Sequence, residues 1–297
     1  MHSLTLQKLH SSSDCRPFEI VFSVYNEQDR VRNLIDSHVG TFKLVFLDGG
    51  STDNTHSIII SADCDLFLRP DFRSFPPFSD KLSQAIFTAQ NGTSYFVAEY
   101  INKYSKASFC LFMWADEYIE PCTQLSIVEY FLSNQLNINA VRIDWVYGSL
   151  FGSVATYQFS FRPGEACWDS KRLHSDVIPL LHSKSLVSFP VQHFSDTSIS
   201  GTTGKLGNYT YAEVIRLCGK SRSYLPIFRR YGLQILIPFK RLLRYRSPFH
   251  FFIALLLILF DCILGHITYF EIYFLPSLTE QRRQFAKYRR LTSGHLE

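Results

Sequence analysis

No Gly-x-Gly-x-x-Gly follows the first apolar run of this chain, so the tight turn that seats a dinucleotide's pyrophosphate is missing. The stretch after that run, Tyr25 to Arg32, also lacks the glycine-rich, Lys/Arg-bearing loop that a nucleotidyltransferase on a related sheet would want. The seven cysteines form no Cys-x-x-Cys pair and their number is odd, which disfavours a zinc ribbon or a closed disulfide framework and points to reduced thiols in a cytosol. Met1 to Arg16 is polar and Ser-rich and has no apolar core of a secretory signal, so the body of the protein is expected on the cytoplasmic side. Aromatic and basic residues interleave near the end of the chain, yet no nucleic-acid module is readable, and no nucleic-acid partner is expected. The unbroken apolar run Phe251 to Phe260 is too short to cross a bilayer alone.

What is present is concentrated between Ile20 and Thr55. Ile20 to Val24 is a short apolar run ending in polar residues, as a buried parallel strand would. Asn26 is placed to cap a helix whose first turn carries Glu27 and Asp29, and Val31, Leu34, Ile35 and Val39 recur at helical spacing until Gly40. Phe42 to Leu47 reads as a second buried strand ending at Asp48, and Gly49-Gly50-Ser51-Thr52-Asp53 turns the chain into another helix. This is a βαβα unit, and in open α/β sheets ligands sit outside the carboxyl ends of the strands. Tyr25, Asn26, Glu27, Asp48 and Ser51 should therefore share one crevice. A ring and a carboxylate at neighbouring strand ends suit a nucleobase, the ring by stacking and the carboxylate by accepting from a ring N–H.

Ser-Val-Tyr-Asn-Glu at 23–27, followed by Leu-Asp-Gly-Gly-Ser-Thr-Asp-Asn-Thr at 47–55, resembles the opening of family 2 glycosyltransferases. The resemblance implies a GT-A fold, an α/β architecture with a mostly parallel central sheet flanked by helices. It also implies a nucleotide-sugar donor, a UDP-sugar in the first instance. Donor contacts would fall on Ser23, Tyr25, Glu27, Asp48, Trp114 and Ala115. Farther on, Cys64 to Leu68 reads as a third strand, Asp80 to Ala89 and Ser94 to Lys106 as helices, and Ala107 to Met113 as another central strand. That strand runs into Trp114-Ala115-Asp116-Glu117, where the family carries an Asp-x-Asp that helps bind a divalent cation. The WaaE-like lipopolysaccharide-core subgroup reads Asp-Ala-Asp-Glu there. Asp116 and Glu117 match it and would hold Mg²⁺ or Mn²⁺, while Trp114 replaces the first Asp.

Pro121 opens a helix to about Leu132, and Val141 to Val146 and Tyr157 to Arg162 read as strands near the acceptor. His174-Ser175-Asp176 stands where the subgroup has His-Glu. An inverting transfer needs a base for the acceptor hydroxyl, and Asp176 or His174 is the candidate, with His174 alternatively a metal ligand or a structural residue. His193 belongs to a His-x-Ser stretch shared with the subgroup and is placed either near the active site or in helix packing.

Charge divides the 297 residues. Residues 1–218 carry a net −5 and residues 219–297 a net +9. The expected organisation is a catalytic domain over 1–218, with nucleotide-sugar binding at 17–120 and an acceptor part at 121–218, followed by a basic, hydrophobic helical extension over 219–297. Phe239, Leu242 and Leu243 with Lys240, Arg241 and Arg244 beside them suit an interfacial helix. Asp261, His266 and Glu271 interrupt the greasy run to Leu275, which favours interfacial or re-entrant helices over a clean span, and Arg282, Arg283, Lys287, Arg289 and Arg290 would meet anionic headgroups. A helical hairpin packed on the catalytic domain, or at a homo-oligomer contact, is the other reading. A peripheral site on the cytoplasmic face of the inner or plasma membrane, and a saccharide or lipid-linked glycan acceptor in cell-envelope polysaccharide synthesis, complete the expectation. A non-catalytic, nucleotide-sugar-binding subunit is the alternative that Trp114 leaves open.

Overall fold

The computed structural model describes residues 6–69 apart from 15, 39 and 41, then 93–133, 138–146, 149–168, 177–179, 187–194, 210, 213, 214, 217, 224–236 and 248–274. The first half runs β1 (Gln7–His10), β2 (Phe18–Val24), α1 (Gln28–His38), β3 (Lys43–Asp48), α2 (Thr55–Ser61), β4 (Asp65–Leu68), α3 (Thr93–Lys103) and β5 (Phe109–Trp114). It continues with β6 (Glu117–Tyr118), α4 (Pro121–Leu132), β7 (Ile138–Val146), β8 (Ser149–Gln158), β9 (Ser160–Phe161), β10 (Ala166–Trp168), β11 (Val177–Pro179) and β12 (Val187–Phe194). Helix α5 (Leu225–Tyr231), a 3₁₀ turn (Gly232–Ile235) and α6 (Pro248–Phe274) close the described chain.

The main sheet has the order β1-β4-β3-β2-β5-β9. Its four inner strands are parallel, and antiparallel β1 and β9 flank them. Period-two alternation explains why β2 is buried at every position. Phe18, Ile20, Phe22 and Val24 join a core roofed by Val31, Leu34 and Ile35 of α1 and by Ile127 and Phe131 of α4. Val21 points the other way, with Val45, Leu47 and Phe112, onto Phe96, Val97, Tyr100 and Ile101 of α3. Helices on both faces are what allow a strand to be apolar on both sides. Because β3 and β4 lie on one side of β2 and β5 on the other, the strand order reverses at the β2/β5 boundary, where an open α/β sheet forms its crevice.

The opposite, amino edge is closed by buried charge. Glu19 and Asp65 are 3% and 2% exposed. Lys43 Nζ lies 2.9 Å from Asp65 and 3.9 Å from Glu19, Tyr100 and Ser105 donate their hydroxyls to Glu19 at 3.1 and 2.6 Å, and the Ser12 N–H donates to Asp65.

A second, four-stranded sheet has the order β6-β12-β7-β8, with β12 parallel to β7. The strand expected over Val141–Val146 extends to Ile138 and forms a long hairpin with β8; the one expected over Tyr157–Arg162 is divided between β8 and β9, which belong to different sheets. The strands β1, β6, β10, β11 and β12 lie beyond the expectation. β1 comes from the polar, Ser-rich start, whose alternation is too short to register, and β12 runs unbroken through Pro190, a residue that argues against a strand in local sequence. The helix expected over Asp80–Ala89 and the interfacial segment at Phe239–Leu243 lie outside the described residues.

Among the described residues, the apolar run of the tail is one continuous helix. α6 carries Pro248 to Phe274 through Asp261 and His266 without a break. It packs on α5 through Tyr231, whose ring would stand 2.6 Å from a Cβ at Gly265, so only glycine admits it there.

Candidate functional site

Two loops at the carboxyl edge are laced together. The Gly49 N–H donates to the Val24 carbonyl at 2.9 Å, which fixes β3's exit against β2's. Asn26 adopts a left-handed conformation with φ 54°, one of the few that Asn tolerates better than most residues. Its N–H donates to Ser51 Oγ at 2.8 Å and its side-chain oxygen accepts from the Thr52 N–H at 2.8 Å. Asn26 therefore does not cap α1; it ties the first loop to the second. The open N–H groups at the start of α1 go across the same gap, Glu27 to Thr55 Oγ1 at 3.0 Å and Gln28 to Asp53 Oδ2 at 3.2 Å. Although burial opposes it, hydrogen bonds from the Thr55 hydroxyl and from the Thr55 and Gln28 N–H groups hold the Asp53 carboxyl below its usual range. Glu27 is engaged by Arg30 at 3.0 Å.

Asp48 is fully buried. Its Oδ1 accepts from the Gly50 and Ser51 N–H groups and the Ser51 hydroxyl at 2.8–3.0 Å, and its Oδ2 is bonded to His56 Nε2. Asp48 thus organises the Gly49–Ser51 turn and carries His56, which reaches back from α2 and is 31% exposed. Arg69, the first residue after β4, completes this corner. Its N–H donates to the Asp48 carbonyl at 2.7 Å and its Nη2 to the Val24 carbonyl at 3.3 Å. Burial pushes the guanidinium down to about 10, with the charge of Asp48 opposing, so it is a cation at neutral pH. A Cβ at Gly49 would fall 2.3 Å from Arg69 Nη2 and 3.3 Å from the Tyr25 ring. The missing side chain is what lets the guanidinium and the ring flank one point. Tyr25 itself is 44% exposed, a large ring left in solvent at a strand end.

Across β2, the register pairs Ser23 with Leu47 on one side and with Trp114 on the other. The ends of β3 and β5 are therefore level and one strand apart, about 10 Å at ordinary strand spacing. Ser23 and Ala115 are buried in the floor, and Trp114 is half-buried with its ring edge-on to Phe112. Glu117 folds beneath the turn, 1% exposed, and accepts from the Trp114 N–H at 2.9 Å. Asp116 sits where the chain passes from the first sheet to the second. The Phe194 N–H donates to its carbonyl at 2.7 Å, and His193 Nε2 lies 3.1 Å from its Oδ2. His193 is brought there by β12, whose register sets it against Glu117 of β6.

Of the residues expected to bind or react, Tyr25, Glu27, Asp48 and Asp116 lie along one sheet edge, Glu117 turns inward, and His174 and Asp176 lie outside the described residues. His56 and Arg69 were missed. The strand-end rule applied to β4 names Arg69; no spacing signal names His56. Among the described residues no group of three His, Cys, Asp or Glu could hold a metal. Asp116 and His193, in hydrogen-bond contact at 3.1 Å, are two residues of types that ligate divalent cations. A carboxylate with an imidazole suits Mn²⁺ better than Mg²⁺.

No protein-family model and no curated protein matches the chain. Among solved structures it is similar to glucosyl-3-phosphoglycerate synthase from Mycobacterium tuberculosis. The complex with Mn²⁺, UDP and glucosyl-3-phosphoglycerate is 18% identical over 44% of each chain, with a TM-score of 0.32. The complex with Mn²⁺, UDP-glucose and phosphoglyceric acid is 16% identical over 46% of this chain and 51% of that one, with a TM-score of 0.33. The complex with Mg²⁺ and UDP is 18% identical over 43% of this chain and 44% of that one, with a TM-score of 0.32. The chain spans about half the length of the solved proteins it matches.

Proposed function

We propose that this chain is a glycosyltransferase of the family 2, GT-A type, moving a sugar with inversion from a UDP-sugar to a saccharide or lipid-linked glycan. The observation that carries the reading is the shared carboxyl edge: an exposed Tyr25 ring after β2 and a buried Arg69 guanidinium after β4 meet at the Gly49 turn, and the Asp116–His193 pair follows β5. Tyr25 would stack on the base, and Arg69, held by Val24 and Asp48, would meet a polar edge or phosphate without having to reorganise. Asp48 supports this corner through Ser51 and His56.

Asp116 and His193 would hold the divalent cation, Mn²⁺ before Mg²⁺, with Trp114 in place of a further carboxylate. Such a cation supplies neutralisation of the charge that builds on the departing diphosphate. In the transfer the acceptor hydroxyl oxygen bonds to the anomeric carbon as the bond from that carbon to the diphosphate oxygen breaks. His174 or Asp176 would take the hydroxyl proton. In this reading the catalytic unit would comprise residues 1–218 and would work at the cytoplasmic face of a membrane in envelope polysaccharide synthesis, as the basic, apolar residues 219–297 suggest.

Thermal stabilisation by nucleotide sugars tests the reading, since a ligand that binds only the folded state raises its apparent stability. UDP-sugars should stabilise the chain with Mn²⁺ and less without it, and Asp116→Asn should abolish the difference. No stabilisation by any nucleotide sugar in Mn²⁺ overturns the proposal. One observation favours a second reading. Glu117 is spent on the Trp114 N–H, which leaves a sparse donor set and fits a subunit that binds the donor without turning it over. Stabilisation with neither hydrolysis nor transfer to any acceptor extract would select that reading.

A further inference from the structure

Helix α6 is apolar far beyond what its packing uses. Phe249, Phe252, Leu256, Phe260, Ile263, Ile267 and Phe270 are all between 41% and 61% exposed. At 100° per residue they fall within an arc of about 80°. Cys262, Gly265, Thr268 and Tyr269, centred on the opposite side, are buried. Two ionisable groups in the middle of the helix are occupied by the protein: Asp261 accepts from the Thr210 hydroxyl, and His266 Nδ1 bonds the Cys262 carbonyl at 2.7 Å, while Glu271 near the helix end is exposed. Four Phe, two Ile and one Leu make a stripe without a hydrogen-bonding group, about 31 Å long from first to last at 1.5 Å per residue.

Three features decide what covers it. The 21-residue stretch Phe251–Glu271 is long and apolar enough to cross a membrane. A span, however, would carry α5 into hydrocarbon, because Tyr231 packs at Gly265, about 9 Å inside the Glu271 end. Arg229 and Arg230, exposed on α5, would then sit at that depth, which is costly. A second copy would bring two tails of net +9 together across an interface core with no Tyr, Trp or Arg anchor. An anionic lipid surface instead complements the charge and takes the stripe along its length.

We propose that α6 lies in the plane of an anionic lipid monolayer, its Phe249–Phe270 stripe among the acyl chains and the arginines of α5 at the headgroups. The proposal stands on the helix geometry and the charge of the tail, and it holds whether or not the chain transfers sugar.

Flotation of the full chain with vesicles tests it. The chain should float with phosphatidylcholine–phosphatidylglycerol vesicles and stay bound in high salt. The triple variant Phe252→Ser/Phe260→Ser/Ile267→Ser, all exposed sites, should lose partitioning on the order of a hundredfold while keeping its melting temperature. Arg229→Glu should lose on the order of tenfold, on the anionic vesicles only. Equal flotation of wild type and triple variant overturns the proposal, as does a concentration-dependent dimer that the triple variant abolishes while neither protein floats. Depth separates lying from spanning. Phe252→Trp, Phe260→Trp and Ile267→Trp, each read as the increment in quenching by brominated lipids over the parent chain, should report one shallow depth. A markedly deeper Phe260→Trp overturns the in-plane placement.

Discussion

The two edges of the parallel sheet bury carboxylates equally well and use them differently. At the amino edge Glu19 and Asp65 are met by Lys43, Tyr100, Ser105 and a backbone N–H, and the network closes on itself. At the carboxyl edge Asp48 is more deeply buried still and just as fully bonded. Its neighbours set it apart: a 44% exposed Tyr25, a 31% exposed His56 and, one strand beyond, the Asp116–His193 pair. Burial of a charge marks neither edge as functional. A buried charge that fixes groups reaching solvent does, because those groups are held in place without being used up by the core.

The largest expected effect comes from breaking the closed edge. Lys43→Met keeps the apolar stem and leaves Glu19 and Asp65 uncompensated, so chemical denaturation should show a loss of about 3–5 kcal/mol. The folded fraction should bind UDP as before; a specific loss of UDP affinity would erase the distinction between the edges. The converse is expected of Asp116→Asn and His193→Ala, whose side chains are partly accessible. Each should lower Mn²⁺-dependent turnover on the order of a hundredfold or more, with stability changed by less than about 1 kcal/mol.

Much of the open edge is legible from residue order. Strand, helix and strand follow from the apolar run at 20–24, the spacing of Val31, Leu34 and Ile35, and the run at 42–47. Parallel strands then put Tyr25 and Asp48 at one edge. His193 is the contrary case. It lies 77 positions from Asp116, and β12 reaches it through a pairing that local alternation around Pro190 does not reveal.

A smaller effect sharpens the role of Tyr25. Tyr25→Ala should weaken UDP binding by about tenfold, as loss of one base–ring stack does, at no cost in melting temperature, as isothermal titration and a melting curve would show. The smallest concerns a buried group used at neither edge. His38 is fully buried, its Nδ1 donates to the Leu34 carbonyl at 2.8 Å, and its ring meets Phe22 and Tyr118 edge-on. Burial lowers its pKa from the ordinary 6.5, against the pull of that hydrogen bond. Below pH 6.5 the unfolded chain takes up a proton that the folded chain refuses, so stability should fall as the solution is acidified, by at most about 1.4 kcal/mol per pH unit. His38→Phe should flatten that slope between pH 6.5 and 5 in melts at stepped pH.

By itself the order of residues determined the βαβα unit, the strand-end positions of Tyr25, Asp48 and Asp116, and the segregation of positive charge into residues 219–297, since each depends on local periodicity or on counting. Tertiary structure alone decided that Asp48 is a support rather than an open acceptor, that Glu117 turns inward while His193 comes to Asp116, and that Asp261 and His266 are satisfied by the protein while one apolar stripe of α6 is left outside. Those outcomes depend on which donors arrive from distant segments, and hydrogen bonds and burial between segments far apart in the chain leave no local periodicity to read.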